Sequence, residues 1–315
     1  MALTTINTMP PAVQEHFDKK MLAVHIPDLI YGFGVMRRDM PANAGRYARL
    51  GRLKNFPLAM IPLPTSGITP PSVSTTRTDI DVEIQFFGQW SSTNEQVVLQ
   101  NENAVLNDFS NLHGISLRRT EDALIRDCIM SSAAFIRAVG GGNGDIPTEV
   151  SASDIDAVTT ELIGNDAKRM FQLLHGEDRF GSAPISNAFM GLCHSNMIPS
   201  LNAMPDFTER ASYPRPDMAL EQTEEGSIHK VRVFVSSQGA IMPNASALGN
   251  DVYPLTIMGA EAVVAIDQDS FTSQFVYRPA YINDPLARNS TMAWVACFAN
   301  AISDDEWILN LQCTI

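Results

Sequence analysis

Cys193 and His194 are the first residues whose types could do chemistry, a thiol beside a base. Nucleophile and base must lie within hydrogen-bond reach, and adjacent side chains of an extended chain point to opposite faces, so these two cannot serve each other. His16, His25, His113, His175 and His229 are scattered, with no HExxH or comparable ligand spacing. Asp79, Asp81 and Glu83 recur at period two and therefore share one strand face. Such a row can gather a cation or act as an acid-base pair, but a wet strand face, or a docking surface for arginines, is the simpler reading. The run Gly140-Gly141-Gly142-Asn143-Gly144 lacks the lysine and hydroxyl residue of a phosphate-binding loop and reads as a flexible joint. There is no GxSxG elbow, dinucleotide fingerprint or Walker loop. The sequence predicts no catalytic residue, no cofactor and no metal.

The elements that must carry the acidic row are more informative. Opposite those carboxylates, within residues 78–86, Ile80, Val82, Ile84 and Phe86 face the other way. Residues 55–61 put Phe56, Leu58 and Met60 on one side, and Pro64, Gly67, Pro70 and Pro71 between the limbs rule out a tight turn. The expectation is a long, loose-tipped hairpin with one apolar face. Residues 90–94 supply capping groups, and 95–137 contain no proline. An unbroken helix there would run roughly 60 Å, more than a compact monomer needs. Val105, Phe109 and Leu112 share one face, and Leu117, Leu124, Cys128 and Phe135 continue a stripe beyond Gly114, a point for a kink or a split. Hairpin and helix together imply surfaces completed by neighbouring subunits.

The 315 residues suffice for two or three packed subdomains, and a hydrophobic share of 45% supports a core. A net charge of -13 argues against a general nucleic-acid-binding surface. Cys128, Cys193, Cys297 and Cys313 show no paired spacing, as expected of free thiols in a reducing cytoplasm. Glu15, Asp18, Lys19 and Lys20 stand where a signal peptide needs an apolar run, and the longest apolar stretch, 255–266, is short and contains Glu261. A cytosolic product without membrane association is expected.

Along the chain, Pro10 and Pro11 precede a short helix bearing Val13, Phe17 and Met21. Between residues 37 and 54 the charge reverses: Arg37, Arg38, Arg46, Arg49, Arg52 and Lys54 stand against Asp39 alone. A solvated arm, docking on an acidic neighbour and contact with nucleic acid all remain open for that cluster. Ser153 is expected to cap a helix with Ile155, Val158, Leu162 and Met170 on its stripe, and Asp154 and Asp156 at its positive end. Residues 175–216 read as irregular. From Lys230 the character is β: Val231, Val233 and Val235 alternate, Phe271, Phe275 and Tyr277 mark a second strand, and residues 292–300 a third. Ser303-Asp304-Asp305-Glu306 turns the chain into a last strand carrying Trp307, Leu309, Leu311 and Cys313.

That order, from the hairpin and long helix through GSIHKVRVFVSS (226–237), DVYPLTIMGAEAVVAI (251–266) and Asp284-Pro285 to the closing hairpin, resembles tailed-phage major capsid proteins. The similarity is to the family typified by the podophage N-four, with the Hong Kong 97 capsid fold. It rests on order and texture over most of the chain, since none of these stretches is a catalytic signature. The resemblance implies an α+β protein with an N-terminal arm (1–53), an extended loop (54–94), a peripheral domain on a spine helix (95–147), an axial domain (148–267) and C-terminal strands returning to the peripheral domain (268–315). It implies a structural protein of the virion, assembled in the host cytoplasm as hexamers and pentamers of an icosahedral shell. Double-stranded DNA would enter through a portal protein and be touched non-specifically, with room for separate scaffolding and cement or decoration proteins.

Within that picture the apolar residues Phe56, Leu58, Met60, Ile80, Val82 and Ile84 are expected to lie on a neighbouring subunit, and Asp79, Asp81 or Glu83 to pair across subunits with Arg46, Arg49 or Arg52. Some shells of this fold are welded through a loop lysine, but residues 55–89 hold no lysine, so no cross-link from that hairpin is expected. Three other readings compete: an encapsulin-like compartment of the same fold, an oligomeric β-rich enzyme using the Asp79 row or Cys193, and a tail or baseplate protein.

Overall fold

The computed structural model describes residues 27–41, 45–60, 62–63, 69, 71–100, 105–131, 134–171, 187–213, 223–268, 273–279, 286 and 288–315. The expected N-terminal helix, residues 64–68 and Pro70 of the hairpin tip, Phe271 and Asp284-Pro285 lie outside them. In chain order the elements are β1 (Val35–Met40), β2 (Tyr47–Leu53), β3 (Arg77–Glu83), β4 (Gln85–Asn94), α1 (Glu95–Gln100), α2 (Val105–Met130) and β5 (Phe135–Arg137). There follow α3 (Ala152–Gly164), β6 (Phe189–His194), α4 (Ile198–Asn202), β7 (Phe207–Glu209), β8 (Glu224–Ile228) and β9 (Val231–Ser236). The chain closes with β10 (Tyr253–Met258), β11 (Val263–Gln268), β12 (Ser273–Arg278), β13 (Asn289–Ile302) and β14 (Ile308–Cys313).

Two sheets organise this α+β chain. The larger has seven strands in the order β5-β14-β10-β6-β9-β8-β7. Its strands read as apolar runs because both faces are covered: β6 and β9 are buried along their whole length. Ile155, Val158 and Leu162 of α3 pack with Val231, Val233, Leu255, Leu309 and Leu311 in one cluster. Ile30, Tyr31, Ile125 and Ile129 pack with Met190, Leu192, Phe234, Met258 and Ile308 in another. β6 falls inside the stretch that reads as irregular, and its Gly191 explains the misreading: a Cβ there would lie 2.8 Å from Val231 and 3.4 Å from a backbone oxygen, so the strand gives up a side chain to let β9 approach.

The second sheet runs β1-β11-β13-β12, with β4 also paired to β13 over residues 85–94 and 289–298. α2 lies on one face of it, where Leu117 and Leu124 meet Trp294, Ala296, Phe298 and Phe87. At 1.5 Å per residue α2 is about 39 Å long. It runs through Gly114 without splitting and stops at Met130, short of the expected end: residues 135–137 are β5, paired in parallel with β14. Phe135 therefore leaves the helical stripe, and Ile125 and Ile129 take its place as the residues that bind the helix to the larger sheet.

Sheet membership also cuts across the sequence order. β11 joins the smaller sheet, β13 stays in it, and β14 crosses to the larger one beside β10. α3 is capped by Ser151, not Ser153, in a capping box with Asp154. The same Asp154 carboxylate accepts the N–H groups of Val139 (3.1 Å), Gly140 (2.9 Å) and Gly141 (2.6 Å). With φ of 87° and 106° at Gly140 and Gly141, the glycine run is a turn wrapped round that carboxylate and not a loose joint.

Candidate assembly surface

The acidic row sits on β3, and its partner strand is β2, in antiparallel register from Tyr47 opposite Glu83 to Leu53 opposite Arg77. This corrects the expected hairpin, whose first limb was residues 55–61. Ladder bonding continues only to Lys54, whose N–H donates to the Thr76 carbonyl at 2.9 Å, and residues 55–60 carry no strand.

The carboxylates of β3 face arginines of the same hairpin. Arg49 holds Asp81 through two parallel bonds of 2.6 and 2.8 Å, Arg46 pairs with Glu83 and Arg77 with Asp79. Hydrogen bonding to the Arg49 guanidinium holds the Asp81 carboxyl below its ordinary value. Arg52 pairs with Asp304 of the same chain. Within the single chain these arginines therefore already have carboxylate partners: the strand register sets Arg49 opposite Asp81, Arg46 lies just before β2, and Arg77 stands two residues before Asp79 on β3.

The two apolar groups of the hairpin part company. Ile80, Val82 and Ile84, with Ala48 and Leu50, close over Met36, Met40, Val264, Ile266, Cys297 and Ala299 of their own chain. Phe86, opposite Cys297, stays 65% exposed. Phe56, Leu58 and Met60 are 63%, 83% and 80% exposed, and Leu53, Leu63 and Val73 are exposed as well. This ribbon is apolar along residues 53–63 and carries one cation, Lys54. Leu63 and Val73 were readable by the same apolar count, but their proline-rich surroundings hid them.

Cys193 and His194 do not come together, and His16, His25 and His175 lie outside the described residues. Cys193 is fully buried, which pushes its thiol well above the ordinary value, and its Sγ faces the Phe234 carbonyl. The His194 ring turns the other way and accepts the Asn196 N–H at 3.0 Å. Among the described residues no group of three or more His, Cys, Asp or Glu is placed to hold a metal ion. No described helix is long and apolar enough to cross a membrane.

No protein-family model and no curated protein sequence matches the chain. Solved structures do. The capsid of Ralstonia phage GP4 superposes with a TM-score of 0.71 at 10% identity, covering 99% of this chain and 98% of that one. The acidic stable capsid of the Helicobacter pylori bacteriophage KHP30 gives 0.69 at 9% identity over 100% and 99%. The capsid of cyanophage P-SCSP1u gives 0.68 at 11% over 99% and 95%. End-to-end coverage at this level of identity is agreement in fold, reached by different side chains. The chain has the Hong Kong 97 type capsid-protein fold.

Proposed function

We propose that this chain is a major capsid protein that self-assembles into the icosahedral head shell enclosing the double-stranded DNA of a tailed bacteriophage. The observation that carries the reading is the full-length agreement in fold with capsid subunits of several phages. The exposed ribbon supports it from the chain's own physics. Apolar surface left in water forfeits about 25 cal/mol per Å², and a contiguous apolar patch of this kind marks an interaction surface. A second copy of the chain covers it, so Phe56, Leu58 and Met60 are the inter-subunit contacts, while the arginine–carboxylate row gives the hairpin its shape.

In this reading the role is structural and not enzymatic. Copies gather as hexamers and pentamers, a portal protein occupies one vertex, and scaffolding and cement proteins are separate chains. The domain division is an N-terminal arm (1–53), an extended loop (54–94), a peripheral domain on the spine helix (95–147), an axial domain (148–267) and C-terminal strands returning to the peripheral domain (268–315), and the phage family it resembles is that typified by N-four. Sedimentation of the purified chain beside a Phe56→Ser, Leu58→Ser, Met60→Ser variant tests it. Large particles from the first and only small species from the second are expected; equal sedimentation of both would overturn the role given to the ribbon.

A further inference from the structure

We infer that the ion pair between Arg52 and Asp304 is a latch that sets the angle at which the apolar ribbon leaves the molecule, by tying the far end of the hairpin to the junction of the two sheets. Covalently the hairpin belongs to the smaller sheet, since β3 is followed by β4 with Ile84 alone between them. Its outer end is held elsewhere. Arg52 stands next to the last residue of β2, where the ladder gives way to the ribbon, and it reaches Asp304 in the turn between β13 and β14. β13 belongs to one sheet and β14 to the other.

That turn is itself fixed from several directions. The N–H of Gly259 donates to the Trp307 carbonyl at 3.0 Å and that of Ser303 to the Ala262 carbonyl at 2.8 Å, both across the β10–β11 connection. Asn165, just past α3, donates to the Glu306 carbonyl at 3.1 Å and accepts the Trp307 indole N–H at 3.1 Å. Asp304 is 7% exposed. Its Oδ1 accepts the Glu306 N–H at 3.2 Å, while Oδ2 is buried without a hydrogen-bond partner and faces the Arg52 guanidinium. A buried carboxylate oxygen is costly unless an opposite charge meets it, so Asp304 holds the arginine in place. Arg52 also lies 5.9 Å from the centroid of the Trp307 ring, with the Lys168 ammonium 5.8 Å from the same centroid and tied to Glu261 at 2.8 Å.

Packing holds the end of the hairpin next to β4, where Val82 and Ile84 are buried against Val264, Ile266, Cys297 and Ala299, but leaves the outer end less constrained. Beneath the hairpin lies a cavity of about 220 Å³ lined by Leu50, Arg52, Ile80, Val264, Asp304 and Trp307 among others. Beside that space the outer end has less packing to restrain its tilt than the end next to β4, and the ion pair supplies the restraint. The consequence for assembly rests on the capsid reading; the latch itself does not.

Hydrogen exchange on the unassembled full-length chain tests it, in Arg52→Gln, Asp304→Asn, the double variant and Arg52→Lys. The amides of β2, β3 and Lys54 should exchange about tenfold faster or more in both single variants, with β6 and β9 unchanged. The double variant should be no faster than either single one, because the two residues act as a pair, and Arg52→Lys should keep most of the protection. Unchanged exchange in the single variants would overturn the latch, and so would independent, additive effects in the double one. Either result leaves the capsid reading standing, since no particle is involved.

Discussion

Asp154 and Asp122 are both buried carboxylates fed by backbone amides, yet their pKa values move in opposite directions. Burial raises that of Asp154, but the Ser151 hydroxyl and the amides of Gly141, Val139 and Ser151 outweigh it and hold the carboxyl below its ordinary value. Its contribution is therefore present above the unfolded-chain value and lost as pH falls through the folded one. Asp154→Ala should cost about 3 kcal/mol in a urea melt at pH 7, because several buried N–H groups lose their acceptor, and the cost should shrink in acid.

Asp122 accepts the N–H groups of Tyr31 (2.9 Å) and Gly32 (3.2 Å), but here burial prevails and its pKa is raised. The ionised form carries a penalty that is full above the folded pKa and vanishes below the unfolded one. Asp122→Asn should be neutral to stabilising at pH 7, with the gain disappearing as pH drops through the carboxylate range. Asp122→Leu, which leaves both amides unmet, should cost about 2 kcal/mol in the same melt. The sequence shows Asp154 as a helix-start residue and gives no hint of Asp122. Capping is local and therefore readable, whereas the partners of Asp122 lie some ninety residues away.

Among the elements, β3 was legible and its partner was not. Period-two alternation of Ile80, Val82 and Ile84 against three carboxylates is an unambiguous strand signal. The true partner, YARLGRL, carries two arginines and a glycine and reads as a basic arm; the neighbouring Phe56, Leu58 and Met60 imitate a strand by the same period. Pairing is decided by register and cover, which a single strand does not encode. α2 shows the complementary failure: its length was overread because nothing in residues 131–137 breaks a helix, and the parallel pairing of β5 with β14 wins there. Ile125→Ala should cost about 3 kcal/mol of stability by calorimetry, since Ile125 is wholly buried between the helix and the larger sheet. Leu58→Ser, in the exposed ribbon, should change stability by no more than about 0.5 kcal/mol while weakening association.

At the scale of the whole molecule, fold class was legible through the family resemblance that an unusual order of parts carries, a hairpin, a long helix and then mostly β. The crossing of β14 from one sheet to the other was not legible, because both sheets use apolar strands of similar length and only topology assigns them. The hairpin's lack of lysine between residues 55 and 89 has a consequence for assembled material. Denaturing gels of mature particles should show a single band near 34.5 kDa, without the ladder that isopeptide linkage from the hairpin would leave. Such a shell depends on buried apolar contacts at the ribbon.

Electron microscopy of the purified full-length chain, concentrated in mild buffer, tests the capsid account most directly. Closed particles of uniform diameter, absent when Phe56, Leu58 and Met60 are replaced by serine, are the result the account predicts. A protein that stays monomeric at high concentration, or that builds tubes or open rings, would contradict it.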